Sequence, residues 1–187
     1  SYNDAAVEQG EEQVDYTYTF NSGTTSTGTG TPPVYSMPAP SSGNVRNTTA
    51  YYYDTAANDK KLSKTITYKG YQASKPADAP SADRRSVTYY KDDRGEEKAD
   101  VQVSYATNGS TPRSTTKFTY GENGRPNDIM TSSYTMKGDQ YADDPATPTV
   151  IARYLDTSVS KTYLTKSIYN SYNDAAVEQG EEQVDYT

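Results

Sequence analysis

Three clusters of carboxylates are the residues in this chain whose type and spacing come closest to a chemical site. They are Asp92, Asp93, Glu96 and Glu97 in KDDRGEE, Asp139, Asp143 and Asp144 in GDQYADD, and Glu178, Glu181 and Glu182 in VEQGEE. Calcium takes about six to eight oxygen ligands, which loop carboxylates and backbone carbonyls supply. None of the clusters has the ligand spacing of an EF-hand loop or of a calcium-binding nonapeptide. Solvated acids at turn tips also keep a β-rich protein soluble and oppose lateral association, which accounts for the same residues. Arg94, Arg125 and the neighbouring lysines dilute the negative potential. The expectation is no obligatory cofactor, with calcium at the first two clusters as the candidate ligand.

Catalysis finds little to work with. The chain has no histidine and no cysteine, so the commonest general base, thiolate chemistry and the usual soft-metal ligands are missing together. Serine and threonine hydroxyls abound, but activating one needs an adjacent base, and only lysine or a carboxylate remains. No Ser-x-x-Lys stands in a setting that suggests a nucleophile, and the acids sit in turns and not as a pair facing a cleft. Lysine, asparagine and acid sufficient for an isopeptide cross-link occur throughout, so composition singles out no such bond. The reading is a protein that is not an enzyme.

Charge narrows the partners. With 18 Lys+Arg against 25 Asp+Glu, the net charge is −7 and the sequence pI about 4.6, which disfavours nucleic acid and anionic membrane surfaces. No apolar run reaches the roughly 18 residues of a membrane span, and no signal peptide is present in this window.

The elements that would position any site must be built almost without aliphatic residues. Leu, Ile, Val and Phe together contribute 20 of 187 residues, too few for a thick globular core. Tyrosine takes their place with 20 residues. An amphipathic ring can cover a thin sheet while its hydroxyl stays hydrogen-bonded, so a thin, elongated object is expected. Tyr51-Tyr52-Tyr53 and Tyr89-Tyr90 could stack on sugar rings. On a strand, however, Tyr51 and Tyr53 share one face and Tyr52 takes the other, so cross-strand tyrosine ladders are the favoured reading.

The strongest feature is a repeat. Residues 1–17 and 171–187 both read SYNDAAVEQGEEQVDYT, identical at all 17 positions with an offset of 170. The chain then reads as a window slightly longer than one period of a long tandem-repeat polypeptide, with 1–170 as one unit and 171–187 opening the next identical one. A start at Ser1 instead of Met agrees with that reading. A duplication that supplies one terminal strand twice is the competing explanation.

A finer period lies inside the unit. Tyr53 to Tyr68, Tyr90 to Tyr105 and Tyr154 to Tyr169 each span 15 residues, and Tyr120 to Tyr134 spans 14. Each begins with a strand-like run (TTAYYY, SVTYY, TKFTY, VIARY), crosses turn formers or charges, and resumes with alternation (KTITY, DVQVSY, MTSSYTM, TYLTKSIY), the pattern of a β-hairpin. With Tyr18 anchoring a fifth unit, the average step is 34 residues. The Gly/Ser/Thr/Pro-rich stretch 21–43 and the stretch 73–85 read as surface loops or linkers, and DDPATP at 143–148 as a third loop. The only candidate helical turn is AAVEQGEEQ at 5–13, which Gly10 interrupts.

The unit Tyr51–Tyr68, with Asp54 directly after Tyr53, and FTYGENGRPNDIMTSSYT at 118–135, with Gly124-Arg125, resemble the YD (Rhs-type) repeat of large bacterial surface and toxin-shell proteins. Asp follows the anchoring tyrosine only at Asp54, and Gly-Arg occurs only once. Long identical repeats, acidity and the lack of cysteine are also similar to giant secreted bacterial adhesins and fibre proteins. Both resemblances imply an extracellular, elongated, non-enzymatic β protein.

These readings combine into an all-β, solenoid- or filament-like array of β-hairpin units of about 34 residues, five per 170-residue repeat, each supported chiefly by its neighbours. Tyr53, Tyr68, Tyr90, Tyr105, Tyr120, Tyr134, Tyr154 and Tyr169 are its structural anchors. The expected function is an extracellular filament, stalk or adhesin shaft, with neighbouring identical repeats as partners and a cell-surface or glycan target as a further one. A multivalent glycan- or calcium-binding surface module and a segment of a YD-repeat-type toxin shell are the alternatives.

Overall fold

The structure is a computed structural model. It describes residues 13–23, 27–29, 34–36, 38–54, 60–122, 126–138, 162–169, 172 and 183–187. The described residues are all-β. The elements are β1 (Tyr16–Phe20), β2 (Thr27–Thr29), β3 (Val34–Ser36), β4 (Val45–Tyr53), β5 (Leu62–Lys69) and β6 (Arg84–Lys91). They continue with β7 (Lys98–Tyr105), β8 (Pro112–Tyr120), β9 (Met130–Lys137), β10 (Tyr163–Tyr169) and β11 (Val184–Tyr186). Nine of them form one open antiparallel sheet in the order β1-β4-β5-β6-β7-β8-β9-β10-β11, and β2 pairs with β3 in a separate two-stranded hairpin.

Three of the expected hairpins are present: β4–β5, β6–β7 and β8–β9. Of the fourth, the return arm is β10, which lies between β9 and β11; the expected outgoing arm is at 150–154. That arm, Tyr154 and the candidate helical turn at 5–13 lie outside the described residues. The stretch 21–43, expected as loop, contains the β2–β3 hairpin.

Register explains how so polar a sequence makes a sheet. One column of cross-strand partners runs Tyr16, Ala50, Ile66, Val87, Val103, Thr115, Met136 from β1 to β9. The next column on the same face runs Tyr52, Lys64, Tyr89, Val101, Lys117, Tyr134, Lys166. Here lysine stems alternate with rings: the Lys64 ammonium stands 5.8 Å from the Tyr89 ring centre and that of Lys166 5.1 Å from Tyr134. Lys64 and Lys166 thereby contribute methylenes to the face and a charge to a neighbouring π-system. Ala50, Ile66, Tyr68, Val87, Tyr89, Val101 and Val103 form the buried cluster, with Tyr16, Tyr52 and Tyr105 packed against it.

The opposite face is hydroxyl. Its columns run Thr17, Thr49, Thr67, Ser86, Ser104, Ser114 and Tyr51, Thr65, Thr88, Gln102, Thr116, Thr135, Thr165. Neighbours satisfy one another across strands, as in Thr49–Thr67 at 3.3 Å, Thr116–Thr135 at 3.0 Å and the Gln102 amide donating to Thr88 Oγ1 at 3.1 Å. Strand alternation therefore splits tyrosine and valine from threonine and serine, which is what makes the sheet two-faced.

A loop supplies the second layer. Residues 71–83, between β5 and β6, lie over the tyrosine face, and their carbonyls accept its hydroxyls: Tyr18 donates to Gln72, Tyr52 to Pro76 and Tyr68 to Ala77. Buried Thr48 receives the Gln72 N–H and donates to the Gly70 carbonyl, and Lys64 pairs with Asp78 at 2.6 Å. The loop expected at 73–85 thus covers the core. Its far end is pinned where Gly109, at φ +67°, passes so close to Ser81 that a Cβ would stand 1.8 Å from the Ser81 carbonyl oxygen.

Candidate functional site

The two copies of the duplicated segment lie at the two edges of the sheet, the first ending in β1 and the second in β11. At one edge, the Asp15 carbonyl accepts from the Tyr51 N–H at 2.9 Å, so Asp15 and Thr17 turn their backbone groups toward β4. Alternation then turns those of Tyr16 and Tyr18 away from β4, toward the open edge. Side chains fix this strand: Tyr53 Oη donates to the Val14 carbonyl, Gln13 Nε2 to the Lys60 carbonyl, and Lys75 Nζ reaches Asp15 at 3.3 Å. The Tyr16 and Tyr18 rings meet edge to face at 5.4 Å, and Tyr71 flanks Tyr18 at 5.5 Å. Burial first, then the neighbouring Tyr16 and Tyr71 hydroxyls, push the Tyr18 phenol up to about 12.

At the other edge, β11 is the second copy of the same segment. Tyr186 pairs with Ile168 and Val184 with Tyr169, and Val184 is 54% exposed. Tyr186 corresponds to Tyr16 and Val184 to Val14. Eight antiparallel steps separate β1 from β11, so the two strands run in the same direction. They also share a face. Met136, Tyr134 and Ser132 alternate along β9, Ser132 pairs with Ile168, and Ile168 pairs with Tyr186, which returns the register to the side where Tyr16 begins it. The segment VDYT thus recurs after eight strands with direction and facing unchanged.

The described acidic cluster, Asp92 to Glu97, is engaged within its own turn and by Leu62. Asp92, at φ 75°, pairs with Lys98 at 3.0 Å. Glu97 accepts the N–H groups of Leu62 at 3.0 Å and Gly95 at 2.7 Å. Burial raises its affinity for a proton, but these backbone donors and Arg94 outweigh it and hold the carboxyl below the usual range. The Asp93 carbonyl accepts from the Glu96 N–H in the same turn. Among the described residues, no three acids converge to hold a metal ion. Asp139, Asp143, Asp144, Glu178, Glu181 and Glu182 lie outside them.

Several of the expected tyrosine anchors make contacts within the sheet. Tyr105 lies under the Arg84 guanidinium at 3.8 Å, Tyr120 donates to the Ala99 carbonyl at 2.8 Å, and Tyr134 meets Tyr163 at 6.4 Å. Tyr90 is half-buried in β6 and Tyr169 pairs with Val184 in the last ladder.

Two polar clusters were not foreseen. Lys117 Nζ donates to Asp100 Oδ1, both side chains being buried, and Lys91 stands 3.6 Å from the same oxygen. Desolvation draws the Lys117 amine below its usual range, against the pull of Asp100. Glu122 Oε2 accepts hydroxyls from Thr119, Thr131 and Ser132, the last at 2.7 Å. The available signal was Lys117 itself, which occupies an inward position in the alternation of STTKFTY. A polar cleft of 340 Å³ is lined by Gly95, Glu96, Lys98, Asn127 and Asp128.

No protein-family model, curated protein or solved structure matches this chain.

Proposed function

We propose that this chain is a segment of a structural filament or stalk at the cell surface, in which 170-residue units continue one β-sheet along its hydrogen-bonding direction. The observation that carries the reading is the equivalence of the edges: the two copies of one segment, with Tyr16 and Tyr186 at the same position of it, lie at opposite edges of the sheet in the same direction and register parity. If the two copies are superposed on a single strand, position 16 stands between Ala50 and Ile168, both at 1% exposure or less. A tyrosine flanked by two buried apolar partners extends the core column across the junction. At about 4.8 Å per strand, eight strands advance the filament by about 38 Å per unit. Such an array has no interior edge, which removes the aggregation hazard of a long open sheet, and its length is set by the number of units.

Setting distance needs no catalytic group, in keeping with the lack of histidine and cysteine. The cell-surface assignment follows from the resemblance to repetitive secreted adhesins. No helix among the described residues is long and apolar enough to cross a membrane. The experiment is the mass of the native polypeptide under denaturing conditions. A mass many-fold above 20.5 kDa, on a ladder of 170-residue steps, supports the tandem filament. A mass near 20.5 kDa makes it wrong.

A further inference from the structure

We propose that β10 of one copy of this chain accepts β1 of a second copy in place of its own β11, joining the copies head to tail by strand exchange. The partner is identified within the structure: β10 already pairs with the segment containing Val184 and Tyr186, and the identical residues recur as Tyr16, which opens β1, and Val14, which leads into it. Both register pairs that β11 makes with β10 therefore have the same residues available at Tyr16 and Val14. Tyr16 takes the place of Tyr186 opposite Ile168, and Val14 that of Val184 opposite Tyr169.

Three features of β1 favour the exchange. Its backbone groups at Tyr16 and Tyr18 face away from β4, as the Asp15–Tyr51 hydrogen bond requires, so it can bond a second neighbour without giving up the first. It arrives with the direction and facing that β11 has, so the joined sheet keeps its antiparallel alternation and its tyrosine face on one side. It is also the better-held strand: β1 has five register pairs with β4, whereas β11 has two with β10, and Val184 is exposed. Displacing β11 breaks a short ladder, and the incoming strand is ordered before it docks, which lowers the entropic cost of joining. The two edges used are different surfaces, so the contact is heterologous and builds an open filament instead of closing as a dimer.

The inference rests on the edge equivalence behind the repeat reading but does not require further repeats in the chain. Failure of the repeat reading appears in the polypeptide mass, and failure of strand exchange in the assembly of the single 187-residue chain. The test compares that chain with Tyr186→Pro, which removes an N–H from β11, and with Tyr186→Pro combined with Tyr16→Pro. The second change removes an N–H that faces the open edge of β1 and leaves the bonds to β4 in place. Sedimentation or light scattering across protein concentration is the readout, with circular dichroism recording the sheet. Freeing the β10 edge is expected to raise the weight-average mass at high concentration by about twofold or more, and the double variant is expected to return it to one chain. A synthetic peptide of residues 11–20, added in excess, is expected to dissolve the Tyr186→Pro assembly. The proposal is overturned if Tyr186→Pro keeps its sheet and stays a single chain at every concentration. It is equally overturned if the assembly persists in a folded double variant and resists the peptide.

Discussion

Tyr16 and Tyr186 occupy opposite edges of one sheet, eight strands apart, at equivalent positions of an identical sequence and in strands of the same direction. An even number of antiparallel steps is needed to restore direction, and an intact face parity to restore the buried side. Both conditions hold across a sheet with a register shift in each of its eight ladders. A unit meeting them can be repeated by translation. A one-residue slip anywhere would turn the next tyrosine face outward, so the bulges must compensate one another within each period.

The buried charge cluster should dominate the stability of β7–β8. Asp100→Ala leaves the Lys117 ammonium buried beside Lys91, and an uncompensated buried charge costs about 3 kcal/mol or more. The double variant Asp100→Leu with Lys117→Met is expected to recover most of that loss, because no charge is left to desolvate. Urea denaturation of the three chains checks both expectations. A double variant as unstable as Asp100→Ala would show that the pair does more than neutralise itself.

Gly109 tests the role of the covering loop. Its φ of +67° and the 1.8 Å approach of a Cβ to the Ser81 carbonyl mean that Gly109→Ala must move backbone, at a cost of about 2 kcal/mol or more. Thermal melts should show the loss. Amide exchange should place it in the 71–83 loop and the β7–β8 turn, not at β10.

Alkaline titration should weaken the fold. Burial first, then its ring neighbours, hold the Tyr18 phenol at about 12, and burial with Tyr68 and Asp78 holds Tyr52 well above its ordinary 10.0. Above pH 10 the unfolded chain has released these protons while the folded chain keeps them, so stability falls as pH rises. Lys117 acts with the opposite sign below 10.5, since its folded amine is the more acidic, but it is one group against three, because burial also raises the Tyr53 phenol. The midpoint of thermal unfolding is expected to drop steadily above pH 10. Tyr52→Phe should flatten that slope while costing about 1 kcal/mol at neutral pH through the lost bond to Pro76. A slope unchanged in Tyr52→Phe would contradict the assignment.

Much of the sheet was legible in the sequence, because its information is periodic. KTITY, SVTYY and DVQVSY alternate strictly, so strand type, face and hairpin partner follow from side-chain spacing alone. Alternation identifies TYLTKSIY as a strand but not its neighbour, and in the fold it pairs with β9. The covering loop was missed because its contribution lies in carbonyls that accept tyrosine hydroxyls, and backbone acceptors leave no residue signature. The Asp100–Lys117 pair was legible only in part: a lysine at an inward position called for a partner, but Asp100 reaches it from the adjacent strand. The edge equivalence combines both kinds of information. Identity of the copies is written in the sequence, whereas their common direction depends on the strand count between them.

The most direct measurement is a pair of spin-label distances in a chain extended by one further copy of residues 18–187. The absence of cysteine lets Val14→Cys and Val184→Cys be labelled cleanly, and both sites are exposed, at 49% and 54%. A continuous sheet is expected to give a narrow distance of about 38 Å between them, and the same narrow distance from position 184 to its next equivalent 170 residues on. A narrow first distance with a broad or different second one would mean that the units are separate bodies on a tether, and the filament account would be contradicted.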